Sequence, residues 1–90
     1  MADAIPTLLD PFRTGELAEH VGANRVTVSA WKNGRALPGA GFHHPLALAL
    51  AALRGGSTDD AVAIAKARME VDAAYRADLA DRSRAARTAP

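Results

Sequence analysis

Between Asn24 and Asn33 the sequence carries one arginine among short side chains, a combination suited to reading the edges of base pairs. The guanidinium of Arg25 can donate two parallel hydrogen bonds to O6 and N7 of a guanine, and a small apolar side chain can contact a thymine methyl group. The candidates for base contact are Asn24, Arg25, Val26, Ser29, Ala30 and Asn33. Each has a simpler interpretation as a surface residue, and Asn24 as a helix cap.

A second group of side chains could bind phosphate. Such contacts position a protein on a duplex and carry its salt dependence, but they do not read sequence. The candidates are Thr14, Thr27, Lys32, Arg35, His43 and His44. The alternative for each is an ordinary solvated side chain. The adjacent His43 and His44 do not predict a metal site, because neighbouring side chains point apart and the acids lack ligand spacing.

Enzyme chemistry has little support in these 90 residues. We find no nucleophile with a spaced base, no glycine-rich phosphate loop after a strand and no paired carboxylates framed by a pocket. The sequence therefore predicts a non-enzyme with no cofactor, no metal and no small-molecule ligand. Its net charge is +1, but Val21–Pro45 contains cations and no acidic residue. A basic segment of this kind favours double-stranded DNA as the partner.

Length and composition predict a single small domain inside the cell. The chain has no cysteine, which is typical of a reducing compartment. The longest apolar run, Pro45–Leu53, is far shorter than the roughly 20 residues that span a bilayer. The first ten residues do not resemble a secretion signal. We therefore expect a cytoplasmic protein without a membrane segment.

The polar candidates require two short helices joined by a tight turn. Thr14 is expected to cap the first helix, and Gly22 to end it in a left-handed conformation. Asn24 is expected to cap the second helix, which runs to about Asn33 and stops at Gly34. The inward face and the turn are predicted from apolar spacing and small residues. These structural positions are Leu17, Ala18, Val21, Gly22, Val28 and Trp31.

Three further helices complete the predicted all-α fold. A short helix over Ile5–Asp10 comes first. Another is capped by His44, opened by Pro45 and ended by Arg54–Gly56. The sequence thus predicts a DNA-binding core over residues 1–56, a long helix over 57–84 and a flexible tail over 85–90. Ser57 is expected to cap the long helix, with Asp60 completing an approximate capping box.

The long helix, from about Thr58 to Arg84, is predicted to pack by its first half and to project by its second. Its expected i,i+4 ion pairs are Lys66–Glu70, Arg68–Asp72, Asp72–Arg76 and Asp78–Arg82. An apolar seam is expected along Ala61, Ile64, Val71, Tyr75 and Leu79. We expect this seam to join two copies in a weak homodimer. Deleting Ala74–Pro90 is then expected to leave the domain folded but to weaken binding to an operator of two half-sites far more than to one half-site.

The stretch from Glu16 to Pro38, "ELAEHVGANRVTVSAWKNGRALP", resembles the helix-turn-helix of the Cro/CI repressor class, the XRE-like family. It matches that pattern in register at Leu17, Ala18, Gly22, Val28, Trp31, Gly34 and Pro38. The resemblance extends over about Thr14–Lys66. It implies a small phage or bacterial transcriptional regulator whose second helix lies in the major groove of DNA.

The chain departs from the family pattern in its short first helix and its longer loop "GAGFHH". The short first helix is similar to that of excisionases and the MerR-like winged class. The wing of that class prefers strand-forming residues, however, and "RALPGAGFHH" contains few of them. Two function classes therefore stay open. One is a sequence-specific regulator; the other is an architectural DNA-binding factor, or a phage DNA-packaging and assembly module that uses the same motif.

Overall fold

Five α-helices and one short 3-10 turn make up the part of the chain that the structure describes. This computed structural model describes residues 3–56 and 59–88. The helices are α1 (Ala4–Leu9), α2 (Thr14–Val21), α3 (Arg25–Lys32), α4 (His43–Leu53) and α5 (Ala61–Thr88), with the 3-10 turn at Ala40–Phe42. The predicted all-α fold with a long C-terminal helix is confirmed.

The connection between α2 and α3 is a tight left-handed turn at Gly22. Gly22 has a φ of 78°, and its N–H and that of Ala23 both donate to the carbonyl of Ala18. Only a residue without a Cβ adopts this conformation without strain. The side-chain oxygen of Asn24 then accepts a hydrogen bond of 2.7 Å from the N–H of Val26. The predicted turn and the Asn24 cap are both confirmed.

A second left-handed glycine ends α3. Gly34 has a φ of 78°, and the N–H of Arg35 donates to the carbonyl of Ala30 at 2.9 Å. This hydrogen bond satisfies a backbone carbonyl that would otherwise have no partner at the end of the helix. The chain therefore leaves α3 where the sequence predicts.

Helices α2, α4 and α5 begin one to three residues away from their predicted starts. Arg13, not Thr14, occupies the cap position of α2, and Thr14 is the first helical residue. Helix α4 begins at His43 after Phe42, so His44 lies inside the helix and does not cap it. The cap of α5 is Asp60, whose carboxylate accepts from the N–H of Ala63 at 3.1 Å.

Two expectations about the ends of α5 fall partly outside the described residues. Ser57 and Thr58, expected to open the helix, are not described. At the other end the backbone is helical through Thr88, four residues beyond the predicted end at Arg84. Of the expected flexible tail, residues 89–90 lie outside the described range.

Helix α4 forms the centre of the hydrophobic core. It is apolar on nearly all sides, a pattern typical of a fully enclosed helix. It packs against α2 on one side and α5 on another. The buried core residues are Ile5, Leu9, Leu17, Ala18, Val21, Val28, Trp31, Leu46, Ala47, Ala49, Leu50, Ala67 and Val71.

Helix α5 is docked onto the domain along most of its length, contrary to the expectation that its second half projects. Asp78 is 2% exposed, and its two carboxylate oxygens accept hydrogen bonds from the N–H groups of Ala4 (2.8 Å) and Ile5 (2.9 Å). Farther along, the guanidinium of Arg82 donates to the carbonyl of Gly34 at 2.7 Å. The second half of α5 thus holds the start of α1 and the end of α3.

The predicted apolar seam of α5 mostly faces the domain itself. Val71 is fully buried, and Tyr75 packs against the core with its ring 4.6 Å from that of His43. Ile64 is half-buried, whereas Leu79 and Ala61 are exposed. Of the four large side chains of the seam, Val71 is in the core and Tyr75 packs against it, so these two are not available to join two copies.

The expected ion pairs along α5 form only in part. Arg68 bonds Asp72 at 3.1 Å, as predicted. Glu70 instead pairs with Arg54 at the end of α4, and Arg76 donates to the backbone carbonyl of Asp72. No helix in the described part of the chain is long and apolar enough to cross a membrane.

Candidate nucleic-acid interface

The inner faces of α2 and α3 hold the two helices in a fixed relation. Leu17, Val28 and Trp31 are buried there, so their predicted inward orientation is confirmed. Trp31 meets the ring of Phe42 in an edge-on contact, with centroids 5.0 Å apart and planes at 62°. Ala18 and Val21 are also buried at the junction. The outer face of α3 is consequently the one turned away from the domain.

That outer face carries short side chains. Val26 is 75% exposed, and Asn24 and Asn33 are exposed at the two ends of the helix. Ser29 and Ala30 lie between them and are half-buried. A helix with such a surface can approach a partner closely, since no long side chain holds its backbone away. Single exposed apolar side chains are normal on protein surfaces, so the exposure of Val26 alone does not identify a partner.

Arg25 lies beside this face, over the first turn of α2. A cleft of about 350 Å³ separates the beginnings of the two helices. It is lined by Arg13, Gly15, Glu16, Glu19 and Arg25. Two arginines and two glutamates therefore share one solvent-open surface.

Most cations in the described part of the chain have an internal partner. The partnered side chains are Lys32, Arg35, Arg54, Arg68, Arg76, Arg82 and Arg84. Within the same described residues, Arg13, Arg25 and Lys66 have neither a hydrogen bond nor an ion pair. Two of these three, Arg13 and Arg25, line the cleft between α2 and α3. Their N–H donors are available to an external anion or base edge.

Arg13 is a candidate that sequence reasoning missed. It precedes Thr14, the first residue of α2, and is exposed at the cap position. The available signal was its place immediately before the expected helix start, where an external phosphate can also reach the free N–H groups of the first turn. Thr14 itself is half-buried at the first helical position.

Lys32 has a partner inside the domain. Its ammonium group donates a hydrogen bond to the backbone carbonyl of Phe12, and its side chain is half-buried. The charge thus holds the connection after α1 against the end of α3. We therefore leave Lys32 out of the proposed phosphate contacts.

Asn33 and Arg35 are linked to each other at the end of α3. The side-chain oxygen of Asn33 accepts from Nε of Arg35 at 3.0 Å. Both residues are exposed, so the remaining donors of the guanidinium and of the amide face solvent. Thr27 is half-buried and His44 is exposed, and neither position conflicts with a phosphate contact.

His43 is an internal residue rather than a phosphate contact. Its side chain is 9% exposed, its Nδ1 lies 2.9 Å from a carboxylate oxygen of Asp72, and its Nε2 lies 3.2 Å from the carbonyl of Pro38. This prediction was wrong because the helix begins two residues earlier than expected and turns the first histidine inward. His43 now connects the loop after α3, α4 and α5.

The carboxylate of Asp72 is at the centre of this network. Partial burial by itself would raise the pKa of Asp72, but hydrogen bonds from Arg68 and His43, together with their charges, outweigh that effect. The pKa of Asp72 is therefore held below its ordinary value. The ionised form stabilises the contact between α4 and α5.

Comparisons with protein-family models, with curated proteins and with solved structures find no match. The functional interpretation therefore depends on the geometry and chemistry of this surface.

Proposed function

We propose that this chain is a sequence-specific DNA-binding regulator that inserts α3 into the major groove. The supporting observation is the pairing of a short-side-chain helix face with two arginines that have no internal partner. Arg25 is the residue we assign to guanine, and Val26 to a thymine methyl group. Asn24, Ser29, Ala30 and Asn33 complete the proposed base-contacting set, and a protein with this activity would work in the cytoplasm.

Phosphate contacts are proposed for the cations and hydroxyl groups around that face. Arg13 joins the set, while Lys32 and His43 leave it because their polar atoms are bound inside the domain. The proposed residues are Arg13, Thr14, Thr27, Arg35 and His44. With few cations and with Glu16 and Glu19 nearby, non-specific binding should be weak, and its affinity should fall only gradually as salt rises, because few counterions are released.

We also propose that two copies act together on a pair of half-sites. One helix-turn-helix reads a few base pairs, and a single small module rarely provides enough affinity over competing sites. Two copies whose centres lie one helical turn apart would combine their contacts. The copies cannot meet through the seam around Val71 and Tyr75, since the core occupies it.

Selection from random DNA at a defined salt concentration tests the proposal. The intact protein should enrich a motif, and fluorescence anisotropy on that site and on a scrambled duplex should then be compared. Arg25→Ala should lose about 1–3 kcal/mol on the enriched site and little on the scrambled one. Lys66→Ala is the matched control, because Lys66 is an exposed cation without a partner in the described residues but lies on α5.

The outcomes separate the function classes. Equal losses for Arg25→Ala on both duplexes would exclude base reading by this residue. Binding without any enriched motif would instead support the architectural or packaging class. Failure to bind duplex DNA at low salt would reject both.

A further inference from the structure

The side chain of Arg25 lies next to Gly15, in the space that a side chain at this position would occupy. A Cβ at Gly15 would lie 3.1 Å from Nη2 of Arg25, 3.4 Å from its Cζ and 3.5 Å from its Nε. Contacts of 3.1 Å are tighter than carbon normally makes, so the guanidinium would have to move. The guanidinium group of the proposed base reader thus lies against the first turn of α2.

The backbone at Gly15 gives no reason for a glycine. Gly15 is the second residue of α2 and is absent from the glycines with positive φ, so an alanine could adopt its conformation. Glycine is a weaker helix former than alanine. The three atoms nearest to its missing side chain all belong to Arg25. What the glycine provides is room for this arginine.

The contact restrains Arg25 without using its hydrogen-bonding capacity. Within the described residues Arg25 has no hydrogen bond and no ion pair, so its donors stay open. A long arginine side chain has many rotamers, and binding is stronger when fewer of them must be removed. The first turn of α2 therefore lies against one side of the guanidinium of Arg25.

We propose that Gly15 is a positioning residue that sets the base preference of Arg25. This inference rests on the proposed DNA-binding function and names a determinant of its specificity outside α3. A Cβ at Gly15 would require the guanidinium to shift by a few tenths of an ångström, away from its present place against α2. It would not remove any group that touches DNA.

A double-mutant cycle tests this positioning role. The four proteins are the wild type, Gly15→Ala, Arg25→Ala and the double variant, each measured on the enriched site and on a scrambled duplex at one salt concentration. Gly15→Ala should reduce the preference for the enriched site by about three- to tenfold, the size expected when the freedom of one long side chain must be removed on binding. In the Arg25→Ala background, Gly15→Ala should not change the preference for the enriched site.

Thermal unfolding shows whether Gly15→Ala is misfolded, and a second glycine substitution serves as the matched control. Gly15→Ala should melt at the same or a higher temperature, because alanine favours the helix. Gly41→Ala is the control, since Gly41 has a negative or extended backbone conformation and no atom within 4 Å of its ideal Cβ. It should leave both stability and base preference unchanged.

The cycle also distinguishes the ways in which the idea can fail. If Gly15→Ala weakens binding equally in both backgrounds and on both duplexes, the glycine serves the approach of a phosphate to α2, and the positioning role is wrong. If it changes nothing with Arg25 present, the contact has no consequence. If the wild type enriches no motif, the proposed function itself fails.

Discussion

At the scale of single residues, Trp31 joins α3 to the 3-10 turn before α4. It is 2% exposed, and its ring contacts Phe42 edge-on. Trp31→Ala should reduce the free energy of unfolding by about 3–5 kcal/mol, because it leaves a large cavity in the core. Urea unfolding followed by circular dichroism measures the loss.

Val26→Ala is the matched control on the same helix, since Val26 is 75% exposed. It should leave the urea midpoint unchanged while weakening binding to the enriched DNA site. An unchanged midpoint for Trp31→Ala would mean that α3 is rotated from the orientation described.

Asp72 predicts a pH dependence of stability. Its pKa is lowered in the folded protein relative to the ordinary value of about 3.9 in the unfolded chain. The unfolded state therefore binds the proton more readily, so this stabilisation is complete above the ordinary pKa and is lost as the pH falls through the folded value. The melting temperature should begin to drop below about pH 5, because the unfolded chain then binds a proton at Asp72 that the folded protein does not.

The contribution of Asp72 is isolated by a substitution. Asp72→Asn should be less stable than the wild type at pH 7, and the difference should shrink toward pH 3. Asp10→Asn, at an exposed position after α1, is the matched control and should change the stability at pH 7 only slightly. Parallel curves for Asp72→Asn and the wild type would contradict the role of this carboxylate.

At the scale of helices, the first turn of α1 depends on a side chain from α5. The buried carboxylate of Asp78 accepts from two N–H groups of α1, which has no cap from its own preceding residue. Asp78→Ala should cost at least about 2 kcal/mol, since hydrogen bonds to charged groups contribute about 1.5–3 kcal/mol and buried donors lose their acceptor.

Amide hydrogen exchange gives the residue-level readout for this contact. The N–H groups of Ala4 and Ile5 should exchange faster in Asp78→Ala than in the wild type. Asp10→Ala removes an exposed carboxylate at the other end of α1 and should change neither stability nor exchange there. Unchanged protection at Ile5 in the Asp78 variant would show that another group satisfies these donors.

At the scale of the whole molecule, α5 is an integral part of the fold. The helix has 28 residues and so a length of about 42 Å, close to the 48 Å long dimension of the molecule. Deleting Ala74–Pro90 removes Tyr75, Asp78 and Arg82 with all their contacts. The expectation that this truncation leaves the domain folded is therefore reversed, and we expect loss of the cooperative urea transition.

Deleting residues 85–90 is the matched truncation. It retains every α5 side-chain contact named above, so the protein should keep its transition midpoint within error. A folded, equally stable protein lacking 74–90 would show that the contacts of Asp78 and Arg82 contribute nothing.

Assembly on DNA is a separate whole-molecule prediction. Analytical ultracentrifugation of the intact protein on its enriched site should give two copies per duplex at saturation. Among the described side chains of α5, the large apolar ones that are exposed are Val62, Met69 and Leu79, a small set that fits a weak contact reinforced by DNA. One copy per duplex at saturating concentration would end the dimer proposal.

The sequence by itself determined the features that depend on neighbouring residues. The left-handed turn at Gly22, the cap at Asn24 and the inward place of Trp31 follow from local backbone preferences and helical spacing. These are short-range properties, and any fold that contains the segment inherits them. The position of Arg25 at the start of α3 was predictable for the same reason.

Only the tertiary structure decided which polar groups remain free. Lys32, His43 and Asp78 bond groups 20, 29 and 73 or 74 residues away in the chain, and Arg82 bonds one 48 residues away. Local spacing cannot identify such partners, because they depend on how whole helices dock against one another. The same docking leaves Arg13 and Arg25 unpaired in one cleft, and places the guanidinium of Arg25 where a side chain at Gly15 would be.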